Sequence, residues 1–96
     1  MHDDDTQHMD TALMLDGNAA AGELEAIFGR DMTMAVARCY ECAADTMIGA
    51  LMAFTRGPGA VLCCPHCHTS VMRIVETPNG YYVDVRGAAY MRFARL

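Results

Sequence analysis

The chain has 96 residues, 53% of them apolar, and a formal net charge of −5. That is one domain's worth of sequence with a modest core. It has no apolar run near the roughly 18 residues a membrane helix needs, and it has too little positive charge for strong phosphate binding.

Charge is unevenly spread. Residues 1–55 carry ten acids and two arginines, a balance of −8, whereas residues 56–96 carry five arginines and two acids, a balance of +3. There is no lysine. The start, "MHDDDTQHMD", lacks the basic head and apolar middle of a secretory signal. A cytoplasmic location, where thiols stay reduced, is therefore expected. Five cysteines, an odd number, also argue against a closed disulfide framework. Residues 1–10 read as a disordered acidic arm bearing His2 and His8. Translation starting at Met9 is an alternative to Met1, and residues 11–96 form the domain.

A helix over about residues 17–28 follows. Asp16 or Asn18 can cap it, and Ala20, Leu24, Ile27 and Phe28 share one face. Gly29 suits a left-handed stop. From Met32 the pattern changes to strands: Met32, Met34 and Val36 alternate with Thr33, Ala35 and Ala37. "TMIGALMAFT", residues 46–55, is apolar on both faces and reads as a buried strand. "RGPG" turns it back through "AVLC". The outgoing limb is longer than the returning one, so part of it is expected to pair with residues 33–38. In "VMRIVETPNGYYVDVRG", a loop from Thr77 to Gly80 puts Glu76 opposite Tyr81 and Arg73 opposite Asp84. Met72, Ile74, Val83 and Val85 then share one face. The tail "AAYMRFARL" reads equally as strand or helix.

The chemistry lies in two Cys-x-x-Cys quartets, Cys39–Cys42 and Cys64–Cys67, separated by 21 residues. Each turn holds two sulfurs close together and aims backbone amides at them. Two such turns supply a closed four-sulfur set for one ion. Zinc is the expected cofactor and iron the rival. A thioredoxin-type redox pair is disfavoured, because neither quartet opens a helix. Cys63, next to Cys64 on a strand, should point away from the metal. His66 and His68 flank Cys67: His66, inside the turn, is expected to be exposed, and His68 is the substitute ligand if a knuckle is distorted.

Residues 39–86, on the four cysteines and "CPHC", resemble a zinc ribbon. The implied fold is mainly β with one N-terminal helix and about five short antiparallel strands. "LMLDGNAAAG", "FGRDMT", "GPGAVLCCPHC" and "YYVDVRG", in this order, resemble a small actinobacterial family of uncharacterised proteins over nearly the whole chain. That resemblance implies, by association, an oxidoreductase partner. A structural-zinc protein that binds another protein as an accessory or regulatory module is the expected function, and no enzyme constellation stands out. Two alternatives stay open. One is a nucleic-acid-binding ribbon using Arg56, Arg73, Arg86, Arg92 and Arg95 with Tyr81, Tyr82, Tyr90 and Phe93. The other is a rubredoxin-like iron electron carrier. Rubredoxin knuckles place glycine after each second cysteine, where this chain has Ala43 and His68.

Overall fold

The computed structural model describes residues 14–95. The expected acidic arm and the choice of start codon lie outside them. The chain is mainly β with one short helix. In order it forms β1 (Met14–Asp16), α1 (Ala21–Phe28), β2 (Val36–Cys39), β3 (Asp45–Met47), β4 (Met52–Arg56), β5 (Gly59–Cys63), β6 (Ser70–Thr77), β7 (Gly80–Asp84) and β8 (Ala88–Arg92). The eight strands make two sheets, ordered β1-β4-β5-β6-β7 and β3-β2-β8. Every pairing is antiparallel.

The strand count exceeds the five expected by three: β1 forms, the undecided tail is strand β8, and "TMIGALMAFT" is not one strand. A 3-10 turn at Ile48–Ala50 breaks it. The Ile48 and Gly49 amides bond to the Ala35 and Thr33 carbonyls at 2.8 and 2.9 Å, carrying the chain from one sheet to the other. Its first part, β3, pairs with β2 as expected, and its last part pairs with β5. The alternation from Met32 does not produce a long strand. Residues 32–35 form a loop, Met34 is 73% exposed, and the buried positions of β2 are Ala37 and Cys39.

The helix is shorter than the span 17–28. Gly17–Ala20 form a 3-10 turn whose cap is Asp16, accepting a bond from the Asn18 amide at 3.1 Å. The chain is held tight there: a Cβ on Gly17 would sit 1.7 Å from the Ile48 carbonyl oxygen. Gly29 ends α1 at φ 77°, its amide bonded to the Glu25 carbonyl, as a left-handed stop requires. Eight residues are too few for a helix to be stable alone. Leu24, fully buried, docks it on the core, with Ile27 and Phe28 packed at the margin.

The β6–β7 hairpin has the expected register, with Arg73 opposite Asp84 and Glu76 opposite Tyr81. Met72 and Ile74 are buried, but Val85 lies beyond the end of β7 and is 38% exposed. The cation on Asp84 is also not the cross-strand one. Arg86 reaches back to Asp84 Oδ2 at 2.6 Å, and its side-chain and backbone bonds hold the carboxyl down at about 2. A carboxyl lowered on folding stabilises above its unfolded pKa, and that contribution is lost as pH falls from about 4 to about 2. Asp84→Asn should therefore lower the urea midpoint of the metal-loaded protein at neutral pH.

The last strand settles the ambiguous tail: residues 88–92 pair with β2. On its outer face Arg38 binds Asp45 at 2.8 Å, lies over the Tyr90 ring, and shares Asp45 with the Tyr90 hydroxyl. These contacts tie all three strands of the small sheet together beside the first cysteine turn.

Candidate metal centre

Each cysteine quartet sits at the tip of a hairpin, one in each sheet. The first joins β2 to β3 and the second joins β5 to β6. The two tips have the same backbone pattern. In the first, the Ala43 amide donates to the Cys39 carbonyl and the Cys39 amide to the Ala44 carbonyl, both at 2.9 Å. In the second, the His68 amide donates to the Cys64 carbonyl and the Cys64 amide to the Thr69 carbonyl, both at 2.8 Å. Such a turn needs a left-handed residue after its second cysteine. Ala43 and His68 supply it, at φ 63° and 68°. The missing glycines therefore do not alter the knuckle backbone, though each non-glycine residue costs about 1 kcal/mol in that conformation. Ala43→Gly and His68→Gly should each raise stability by up to about 1 kcal/mol, read from thermal melts of the metal-loaded protein.

The tips meet. Cys39 and Cys67 sulfurs lie 3.5 Å apart, Cys42 and Cys64 sulfurs 3.6 Å apart, and all four fall within 4.8 Å of one another. A disulfide would bring a pair to about 2.05 Å. A tetrahedral ion with sulfurs about 2.3 Å away requires edges of about 3.8 Å. The donor set therefore fits one thiophilic cation shared across the two sheets. Cys39 and Cys64 are buried; Cys42 and Cys67 are exposed.

The local electrostatics support thiolate unevenly. The Thr69 hydroxyl and amide lower Cys67 to about 6. For Cys42 the largest single influence, the Ala44 amide, lowers the pKa, but desolvation and the other three sulfurs push it up to about 12. Cys42 in particular holds its proton until a cation offsets the charge. Metal uptake should therefore release protons and weaken in acid.

Cys63 lies outside the cluster, near-buried, its pKa raised chiefly by burial. A bulge in the β5–β6 pairing between Leu62 and Cys63 lets Leu62, Cys63 and Cys64 all be buried in succession. His66 and His68 are exposed and neither belongs to the four-sulfur cluster. His66 contributes its backbone amide, which donates to Cys64 Sγ at 3.4 Å. Thr69, whose hydroxyl oxygen accepts from Cys67 Sγ at 3.3 Å, is the contact with the cluster that sequence reasoning missed. Its place two residues after a ligand cysteine was the available signal.

Of the arginines considered for a basic face, two are ion-paired. Arg86 pairs with Asp84 and Arg92 lies 3.9 Å from Asp45, so among the described residues these charges are offset locally. Arg73 is on β6 in the large sheet, whereas Arg92 is on β8 in the small one. No helix among the described residues is long and apolar enough to cross a membrane.

No curated protein and no solved structure matches the chain. The model of a family of unknown function, DUF6510, matches residues 6–95, and the chain belongs to that family.

Proposed function

We propose that Cys39, Cys42, Cys64 and Cys67 hold one structural zinc ion, and that the protein is a non-catalytic accessory or regulatory module that binds another protein. The observation that carries this is the meeting of four sulfurs from two hairpin tips within 4.8 Å. Four protein ligands saturate a tetrahedral ion and leave no position for water, so the site suits structure rather than hydrolysis. Zinc is favoured over iron because the domain has no tryptophan and few aromatics to enclose a redox centre. Several large apolar side chains, among them Met34, Tyr40 and Tyr82, are more than 60% exposed. Such side chains suit a protein contact better than a phosphate backbone. An oxidoreductase is the partner class that the sequence resemblance suggests.

The test is affinity purification of a tagged copy from its native host, with metal analysis of the same sample. A stoichiometric protein partner and one zinc per chain are expected. Red, iron-containing protein would favour electron transfer. Salt-dependent retention on a nucleic-acid column, without a protein partner, would favour the nucleic-acid reading.

A further inference from the structure

The large sheet has one covered face and one open one. Ala53, Leu62, Met72 and Ile74 are buried on the covered face. On the other, Phe54, Val61 and Arg73 share one cross-strand row, and Gly59 and Val75 share the next. Gly59 brings no side chain to that face. A hollow of about 280 Å³ opens beside it, lined by Phe54, Pro58, Val61, Val75 and Arg73. Arg73 is the single polar residue of that lining. It also lines a second hollow, of about 230 Å³, with Ser70, Asp84 and Arg86. The acid that faces Arg73 across the strand, Asp84, is held by Arg86 at 2.6 Å. Among the described residues Arg73 forms no ion pair of its own. Two arginines and one carboxylate leave this corner of the sheet with one positive charge in excess.

We propose that the larger hollow binds a small apolar monocarboxylate of the arylalkanoic type. Its ring and chain lie against Phe54, Val61 and Val75, and its carboxylate meets Arg73. Small-molecule sites are apolar hollows in which a few polar groups fix the orientation. Here the one polar group is a cation, so it selects an anion, and a single charge in excess suits a monoanion. The arginine fork takes a carboxylate through two parallel N–H···O bonds. The volume falls just below the roughly 300–1,000 Å³ of sites for drug-sized ligands, which suits a smaller body. Phe54 favours an aromatic one, since two rings can pack edge to face. A sugar or a nucleotide would leave polar groups unpaired against the two valines. The site lies apart from the four cysteines and does not depend on which ion they hold.

The experiment titrates the full, folded chain with 3-phenylpropionate while the Val61 and Val75 methyl signals are followed by NMR. Saturable shifts of both are expected, with a Kd of about 1 mM for a ligand of this size. 3-Phenylpropionamide, which has the same body without the charge, should bind about tenfold more weakly. Arg73→Gln should weaken the acid about tenfold and leave the amide unchanged. Arg73→Lys should recover only part of the loss, because it restores the charge without the fork. Asp84→Asn, which removes the one carboxylate beside the site, should tighten the acid about threefold. Equal binding of acid and amide, or acid binding unmoved by Arg73→Gln in a chain whose spectrum stays folded, would overturn the inference. Methyl shifts that never saturate, or that follow protein concentration because a second copy covers this face, would overturn it too.

Discussion

Cys39→Ser or Cys64→Ser should unfold the protein. Each of these sulfurs is buried at a hairpin tip and faces sulfurs of the opposite sheet. Structural zinc in small domains contributes about 10–16 kcal/mol to folding. The whole stability of a domain is about 5–15 kcal/mol, so losing one ligand can remove most or all of it. Serine in the same place also leaves a poorly ligating hydroxyl buried among thiolates. The expected result is loss of far-UV β signal and of a cooperative melt at room temperature. A strong chelator should do the same to the wild-type protein. Cys63→Ser should cost only about 1 kcal/mol, since that thiol is outside the cluster. Equal effects at Cys63 and Cys39 would mean that burial, not metal binding, gives the cysteines their weight.

The second large effect is expected at a residue with no side chain. Gly87 links β7 to β8 and is wedged between the two knuckle hairpins. Its carbonyl accepts from the Tyr40 amide of the first knuckle at 2.9 Å. A Cβ there would lie 1.8 Å from the Ser70 carbonyl oxygen, at the start of β6 beyond the second knuckle. Both neighbours are backbone, so neither can yield without moving a hairpin. Gly87→Ala should therefore cost about 3 kcal/mol or more. It should also weaken metal binding, because the shift it forces separates the two sulfur pairs. Gly22→Ala is the matched control. Nothing lies within 4 Å of a Cβ on Gly22, which sits in α1, so alanine there should stabilise by about 0.5–1 kcal/mol. Urea unfolding of the two variants beside wild type measures both. A mild Gly87→Ala would mean that the sheets are not held as closely as this contact requires.

These two sites mark what could and could not be read from the sequence. The cysteine spacing carried the four-sulfur cluster, because a Cys-x-x-Cys turn is local and its chemistry needs no knowledge of the rest of the fold. The β6–β7 register was legible for a similar reason: a tight turn and alternating apolar residues leave one sensible pairing. Asp84 shows the limit even there, since its neighbour Arg86 captured the carboxylate that Arg73 faces across the strand.

The rest depended on distant approaches. The 3-10 break at residues 48–50 is held by the Ile48 and Gly49 amides bonding to the Ala35 and Thr33 carbonyls in the approach to β2. Whether residues 88–92 formed a strand depended on the open edge of β2, set by residues about 50 positions away. The short strand β1 exists because β4 offers it an edge, not because "MLD" favours extension. At Ala43 and His68 sequence preference pointed the wrong way. Glycine is the residue that conformation prefers, yet the hydrogen bonds at each tip impose a left-handed backbone on the residues present.

Native mass spectrometry of the intact protein, purified under gentle conditions and weighed with and without acid, tests the central claim most directly. The account predicts one divalent ion per folded chain, a mass showing all four ligand thiols deprotonated, and release of that ion together with loss of fold. A folded chain carrying no ion, with Cys39, Cys42, Cys64 and Cys67 all present as free thiols, would contradict it.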